Sequence, residues 1–233
     1  MQSSTAIKNV LLVHGAWADG SSWAQVIRAL DAEGITAIAA PLPLTSLADD
    51  VAALNRTLGR VEGPIVLAGH AYAGAVIAEA RSPRVKALVY VAALAPDEGE
   101  TVADVFYRAP PHPFAPKLAP DANGLIWLPE SAFASAFAQC ARPDDIAVLA
   151  AVQRPIAPAC ITVPVGRPRW KDVPSWFLVA EDDRMIAPET QRSMAARMQA
   201  VVRSHAADHT PIVSAPAHVT DIIREAIRGV IQD

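Results

Sequence analysis

The stretch Pro64 to Val76, PIVLAGHAYAGAV, holds a spacing of residues that suits carbonyl chemistry. Ile65, Val66 and Leu67 form a short β-rich apolar run, and Gly69, Ala73 and Gly74 leave room for a sharp reversal into a helix. That arrangement matches the strand–turn–helix pattern G-x-S-x-G, in which a strained turn exposes a serine hydroxyl for attack on a carbonyl carbon. Here the pattern reads G-H-A-Y-A. Position 71, where the hydroxyl would stand, is alanine, and a methyl group has no lone pair with which to attack. Ala73 also replaces the closing glycine, while Gly74 keeps a small residue where the helix must pack. The residues therefore predict a turn shaped for covalent catalysis but lacking its nucleophile.

The elements that must position this turn alternate between strand and helix. Lys8 to Val13 reads as a buried strand ending at His14-Gly15, and Ala16 to Gly20 leads into a helix from about Ser21 to Glu33 that Ser21 or Ser22 can cap. Trp23, Val26, Ile27 and Leu30 give that helix an apolar face, and Gly34 stops it. Ile35 to Ala40 is a strand broken by Pro41 and Pro43, followed by helical spacing over Leu47 to Arg60 and then by the elbow strand. Ala71 to Arg81 is the elbow helix and Val85 to Ala92 the next strand. Further on, Val173 to Ala180 and Val201 to His205 read as strands, Pro188 to Met198 and Ser214 to Ile231 as helices. Right-handed crossovers make this an α/β fold: a mostly parallel central sheet with helices on both faces and ligands beyond the carboxyl ends of the strands. His14-Gly15, His70-Ala71 and the turn after Ala92 all lie at that end.

Thr101 to Trp170 departs from the rhythm. It is rich in proline, allows helices at Glu130 to Gln139 and Pro143 to Gln153, and carries the aromatic residues Phe106, Tyr107, Phe114, Trp127, Phe133 and Phe137. A long insertion of this kind is commonly a lid over a site. The expected organisation is one domain over 1–233, with a core of about 1–97 and 171–233 and a cap over about 98–170.

Composition narrows the classes of function. Apolar residues make up 52% of the chain and charged ones 19%, which suits strands buried on both faces. The net charge of −4 is spread over interspersed acids and bases, so no basic stripe is present to hold a nucleic acid. No apolar run approaches the ~18 residues of a membrane span. Met1 to Asn9 lacks the pattern of a secretory signal, which leaves the cytoplasm as the expected location. Cys140 and Cys160 fit neither a disulfide framework nor a zinc pattern and are expected to be reduced thiols.

Taken together, LVHGAWADGSSW, LAGHAYAGAVI, AEDDRMIAP and ADHTPIV resemble the α/β-hydrolase superfamily, in its order of nucleophile position, acid and histidine. With the chain beginning at the HG strand and a compact cap, it is most similar to the small branch of plant methyl esterases, hydroxynitrile lyases and related bacterial hydrolases. The resemblance implies that Ala71 is the nucleophile position, Asp183 the acid in preference to Asp182, and His209 the general base. It also implies an oxyanion site made by the main-chain N–H groups of Ala16 and Tyr72, which a change of side chain at 71 need not remove. His14, Trp17, Phe106, Trp127, Phe133 and Phe137 are expected around the substrate, His14 mainly as a support for its loop. His70 is expected beneath the elbow, and His112, His205 and His218 at the surface or in packing.

The function implied is that of a carboxylic ester hydrolase, with Ala71 as an engineered replacement of serine or a natural loss. Two alternatives stand beside it: a ligand-binding or sensing homologue without catalysis, and lyase-type chemistry in which His209 and Asp183 act as base without a nucleophile. In each, the expected partner is a small, largely apolar carbonyl compound, its oxygen toward the Ala16 and Tyr72 amides. No metal or organic cofactor is implied.

Overall fold

A computed structural model describes residues 7–230. Most of the Met1 to Asn9 stretch read for a secretory signal, and Ile231 at the end of the closing helix, lie outside the described residues.

Six strands form one sheet: β1 (Asn9–Val13), β2 (Thr36–Ala40), β3 (Ile65–His70), β4 (Val85–Val91), β5 (Ser175–Ala180) and β6 (Val201–His205). Their order is β2-β1-β3-β4-β5-β6, and every described pairing is parallel. The register aligns Val13 with Ala40 and Gly69, His70 with Val91, and Ala180 with His205, so the strands finish along one edge. Loops leaving that edge converge, which is how residues far apart in the chain meet.

The helices are α1 (Ala24–Asp31), α2 (Leu47–Gly59), α3 (Ala73–Ala78), α4 (Val102–Phe106), α5 (Glu130–Ala132), α6 (Pro143–Ala151), α7 (Pro188–Arg197), α8 (Pro211–Ser214) and α9 (Pro216–Gly229). The two-residue period of the strands divides the core into two layers. Val10, Leu12, Val66, Ala68, Val89 and Leu178 face α1 and α9, where Val26, Leu30, Val219 and Ile223 meet them. Leu11, Val13, Leu67, Leu88, Phe177 and Val179 face the opposite layer, against Leu54 and Leu58 of α2, Val76 of α3 and Met194 of α7. Strands covered on both faces need apolar side chains at successive positions, which accounts for the unbroken apolar runs in the sequence. The edge strand β6 is exposed.

Several boundaries differ from those the sequence suggests. Asp19, rather than Ser21 or Ser22, caps the first helical segment: its carboxylate accepts the Ser21 N–H at 2.8 Å, and a 3-10 turn over Gly20–Trp23 precedes α1. The elbow helix stops at Ala78 instead of Arg81, consistent with Pro83, which cannot continue a helix and disfavours helical backbone before it. The helix expected over Glu130 to Gln139 is one turn of α5 followed by a π-turn at Phe133–Phe137. The closing helix, α9, starts at Pro216 instead of Ser214, because Ala215 leaves helical geometry, and a separate short helix, α8, precedes it at Pro211–Ser214.

The segment between β4 and β5 lies against the carboxyl end of the sheet. The Trp17 N–H donates to the Arg154 carbonyl at 3.0 Å, and the Ala157 N–H to the Leu44 carbonyl at 2.9 Å. Antiparallel bridges join Ile126 to Pro120 and to Ile156 within it. Among the described residues, no helix is long and apolar enough to cross a membrane.

Candidate active site

Strand β3 ends at His70, and Ala71 takes a φ of +52°, a left-handed conformation that L residues adopt at a cost of about 1–2 kcal/mol. Main-chain bonds hold it there: Ala71 N–H donates to the Val91 carbonyl at 3.3 Å, and its own carbonyl accepts from Leu94 at 3.0 Å and Gly74 at 3.1 Å. Gly74 is required by packing, since a Cβ there would stand 2.2 Å from the Leu94 carbonyl oxygen. Ala73 is fully buried in the core, so the methyl that replaces the motif's last glycine is accommodated. The turn thus has the strained shape of a nucleophile elbow, with a methyl group at its tip.

His209 stands in the loop between β6 and α8, and its Nδ1 lies 2.9 Å from Oδ2 of Asp183. Both side chains are buried. The other carboxylate oxygen of Asp183 accepts the Met185 and Ile186 N–H groups at 2.7 and 2.9 Å, and Gln191 Nε2 donates to Oδ2 at 2.7 Å. With a carboxylate as its partner, Nδ1 carries the proton and Nε2 is left as the basic nitrogen. Asp182, the other candidate acid, is exposed. Behind the imidazole, His70 donates from Nε2 to the His209 carbonyl at 2.7 Å, its ring 5.0 Å away. Burial, reinforced by the neighbouring His209, pushes His70 down to about 3 and keeps it neutral.

The loop after β1 brings the Ala16 amide to the same place. His14 secures that loop from behind, donating from Nδ1 to the Gly15 carbonyl at 3.0 Å and accepting the Leu42 N–H on Nε2 at 3.0 Å. Burial lowers its pKa, as this neutral, two-sided bonding requires. Trp17, with a φ of +57°, ties the loop to the segment above through its indole N–H, which donates to the Ile126 carbonyl at 3.0 Å. Among the described residues, neither the Ala16 nor the Tyr72 N–H has a hydrogen-bond partner. Backbone donors left open beside a buried histidine are suited to an oxygen that gains negative charge.

A partly open cavity joins Ala16, Trp17, Ala71, Tyr72 and His209. Its remaining walls are apolar and include Leu94, Phe106, Tyr107, Ile156 and Met185. Four of the expected substrate neighbours fall elsewhere. His14 is buried behind its loop and fully occupied by main-chain partners. Trp127 points outward, 45% exposed, with its indole N–H on Asp121, because the bridge at Ile126 turns Ile126 inward instead. Phe133 and Phe137 are fully buried in the π-turn, Phe137 supporting His209 at 5.2 Å between ring centres. Trp17 and Phe106 do line the cavity. Sequence reasoning missed Tyr107, Met185 and Ile156 as wall residues. Met185 lies inside the acid loop AEDDRMIAP, two residues after Asp183, which is the one signal that marks it.

Two buried carboxylates also escaped the sequence reading. Asp208 accepts Thr210 N–H at 3.1 Å, Ser214 Oγ at 2.6 Å and Cys140 N–H at 2.8 Å, fixing the loop that carries His209. Asp50 accepts Tyr72 Oη at 2.7 Å and Leu44 N–H at 2.7 Å. Among the described residues, no three His, Cys, Asp or Glu side chains group as metal ligands.

A parallel sheet with this elbow, a buried His–Asp pair and open backbone donors at the strand ends defines the α/β-hydrolase class. A profile described as the alpha/beta hydrolase family matches residues 10–221, and the chain belongs to that family. Solved structures with the same fold include an H244A mutant of polyneuridine aldehyde esterase (TM-score 0.81, 16% identity, covering 94% of this chain and 98% of that one). Others are a pyrethroid hydrolase from Sphingobium faniae JZ-2 (0.76, 21%, 97% and 99%) and tomato methylketone synthase I complexed with 2-tridecanone (0.79, 16%, 96% and 98%). At these identities the likeness is one of fold. No curated protein matches the sequence at a significant level.

Proposed function

We propose that the protein is an enzyme acting on a small, largely apolar carbonyl compound by general acid–base catalysis, without a covalent enzyme intermediate. The observation that carries this reading is His209, bonded at 2.9 Å to the buried Asp183, at the wall of an apolar cavity shared with Ala71 and the unbonded Ala16 and Tyr72 amides. On an ester, His209 Nε2 takes a proton from water as the water oxygen bonds to the carbonyl carbon, and the carbonyl π electrons move onto the oxygen. The Ala16 and Tyr72 amides hold that oxyanion. Its collapse breaks the ester C–O bond, and the His209 proton passes to the departing oxygen, giving acid and alcohol. Asp183 orients the imidazole and stabilises its cation.

General base action of this kind contributes about 10²–10⁴-fold, and a well-placed oxyanion donor about 10²–10³-fold. The segment between β4 and β5 serves as the cap that gives the cavity its apolar wall.

The alanine at 71 favours a second reading, a binding protein that holds the same ligand without turning it over. Steady-state turnover of p-nitrophenyl acetate separates the two. The enzyme reading expects His209→Ala to lower the rate by about 10²-fold or more. Equal rates in the two forms leave the binding reading in its place.

A further inference from the structure

Asp50 is a buried carboxylate to which the proposed mechanism gives no part. It sits in the first turn of α2, and three donors converge on it: Leu44 N–H on Oδ1 at 2.7 Å, Tyr72 Oη on Oδ2 at 2.7 Å and the Cys160 thiol on Oδ2 at 3.6 Å. Each partner belongs to a different piece of the site. Tyr72 supplies one proposed oxyanion amide. Leu44, held at a φ of +60°, receives the Ala157 N–H on its carbonyl at 2.9 Å. Ala157 closely follows Arg154, whose carbonyl accepts the Trp17 N–H at 3.0 Å, and Trp17 adjoins Ala16, the other amide. One unbroken path of bonds thus runs from the Tyr72 ring through Asp50, Leu44 and 154–157 to the loop of Ala16.

We propose that Asp50 is a positioning residue that holds the Tyr72 and Ala16 amides in register with each other. The inference rests on the reading, given above, that these two amides receive the substrate oxygen. A buried carboxylate is costly unless well bonded, and three donors of different origin are an arrangement that one misplaced element breaks. Burial raises the Asp50 pKa and also raises that of the Tyr72 phenol, with the nearby Asp50 charge adding to the latter. The phenol is therefore a fixed donor. Without the carboxylate, the Tyr72 hydroxyl and the strained Leu44 N–H both lose their acceptor, and each end of the path is released.

The test uses the full-length protein labelled with ¹⁵N, following the Ala16 and Tyr72 amide signals together with p-nitrophenyl acetate kinetics. Asp50→Ala is expected to shift both amide signals and to lower kcat about tenfold or more with KM little changed, because alignment of the donors matters most in the transition state. Asp50→Asn, which keeps an acceptor for Leu44 N–H but turns an amide NH₂ toward the Tyr72 hydroxyl, should restore the Ala16 signal and leave the Tyr72 signal shifted. Tyr72→Phe cuts one arm and should move the Tyr72 signal while leaving Ala16 in place. A folded Asp50→Ala protein with both amide signals unmoved overturns the inference. If Asp50→Ala does not fold, Tyr72→Phe decides: an unmoved Tyr72 amide overturns it and the selective shift supports it. If the parent protein turns over no ester, the proposed function fails separately, and the amide signals still decide whether Asp50 positions the two groups.

Discussion

Gly15 and Ala71 face each other so closely that a Cβ on Gly15 would stand 2.9 Å from the Ala71 Cβ and 3.0 Å from the His70 carbonyl oxygen. The loop bearing the Ala16 amide can reach the elbow only because residue 15 has no side chain. Gly15→Ala is therefore expected to push the loop outward, cost about 1–3 kcal/mol of stability and lower ester turnover about tenfold or more. Urea unfolding and p-nitrophenyl acetate kinetics check both effects. Undiminished turnover contradicts the assignment of Ala16.

Asp183→Asn separates orientation from folding. The Asn carbonyl can still accept the Met185 and Ile186 amides that Oδ1 accepts now, so the loop should keep its shape. The amide NH₂ then faces the His209 Nδ1–H, and the imidazole loses the carboxylate that fixes its tautomer. Turnover is expected to fall by about 10²–10⁴-fold, by comparison with the corresponding change in serine protease triads, with a loss of about 1–3 kcal/mol in stability because Gln191 Nε2 also loses its acceptor. A variant with full activity excludes Asp183 from the chemistry.

Ala71→Ser restores a hydroxyl at the tip of the elbow. With the His209–Asp183 pair in place, ester hydrolysis should rise by about 10²-fold or more, and an acylated protein should be detectable by intact mass spectrometry. Turnover unchanged by the hydroxyl shows that more than the nucleophile is missing.

Acid should destabilise the fold well above the range where carboxylates titrate. His14 and His70 are buried and neutral, with pKa values lowered by burial, His70 to about 3. In the unfolded chain each binds a proton below about pH 6.5. The unfolded state therefore holds more protons, and stability must fall as pH falls from about 6.5. Each histidine adds a slope approaching about 1.4 kcal/mol per pH unit. Urea midpoints between pH 7.5 and 5.5 measure this, and a midpoint that rises on acidification contradicts the buried neutral histidines.

The parts of the site that were legible in the sequence are set locally by strand ends and tight turns. His70-Ala71, the His14-Gly15 loop, Asp183 and His209 all sit at or shortly beyond the end of a parallel strand, so finding the strands nearly places the residues. The wall of the cavity depends on contacts distant in sequence. Trp127 and Ile126 exchange inside and outside according to the bridge between Ile126 and Ile156, which nothing in either segment announces. Phe133 and Phe137 fall into the core because a π-turn, absent from a regular helical reading, rotates their faces. Asp50 belongs to no motif in the sequence, and only folding brings Tyr72 and Cys160 onto it.

Carbonyl chemistry at His209 without covalent attachment is tested most directly by the first turnover of p-nitrophenyl acetate, followed by stopped flow at a known concentration of active protein. Release of p-nitrophenolate should be linear from the origin, because the Ala71 methyl cannot hold an acyl group. A burst equal to the protein concentration, with the acyl group recovered on any side chain, would contradict the account.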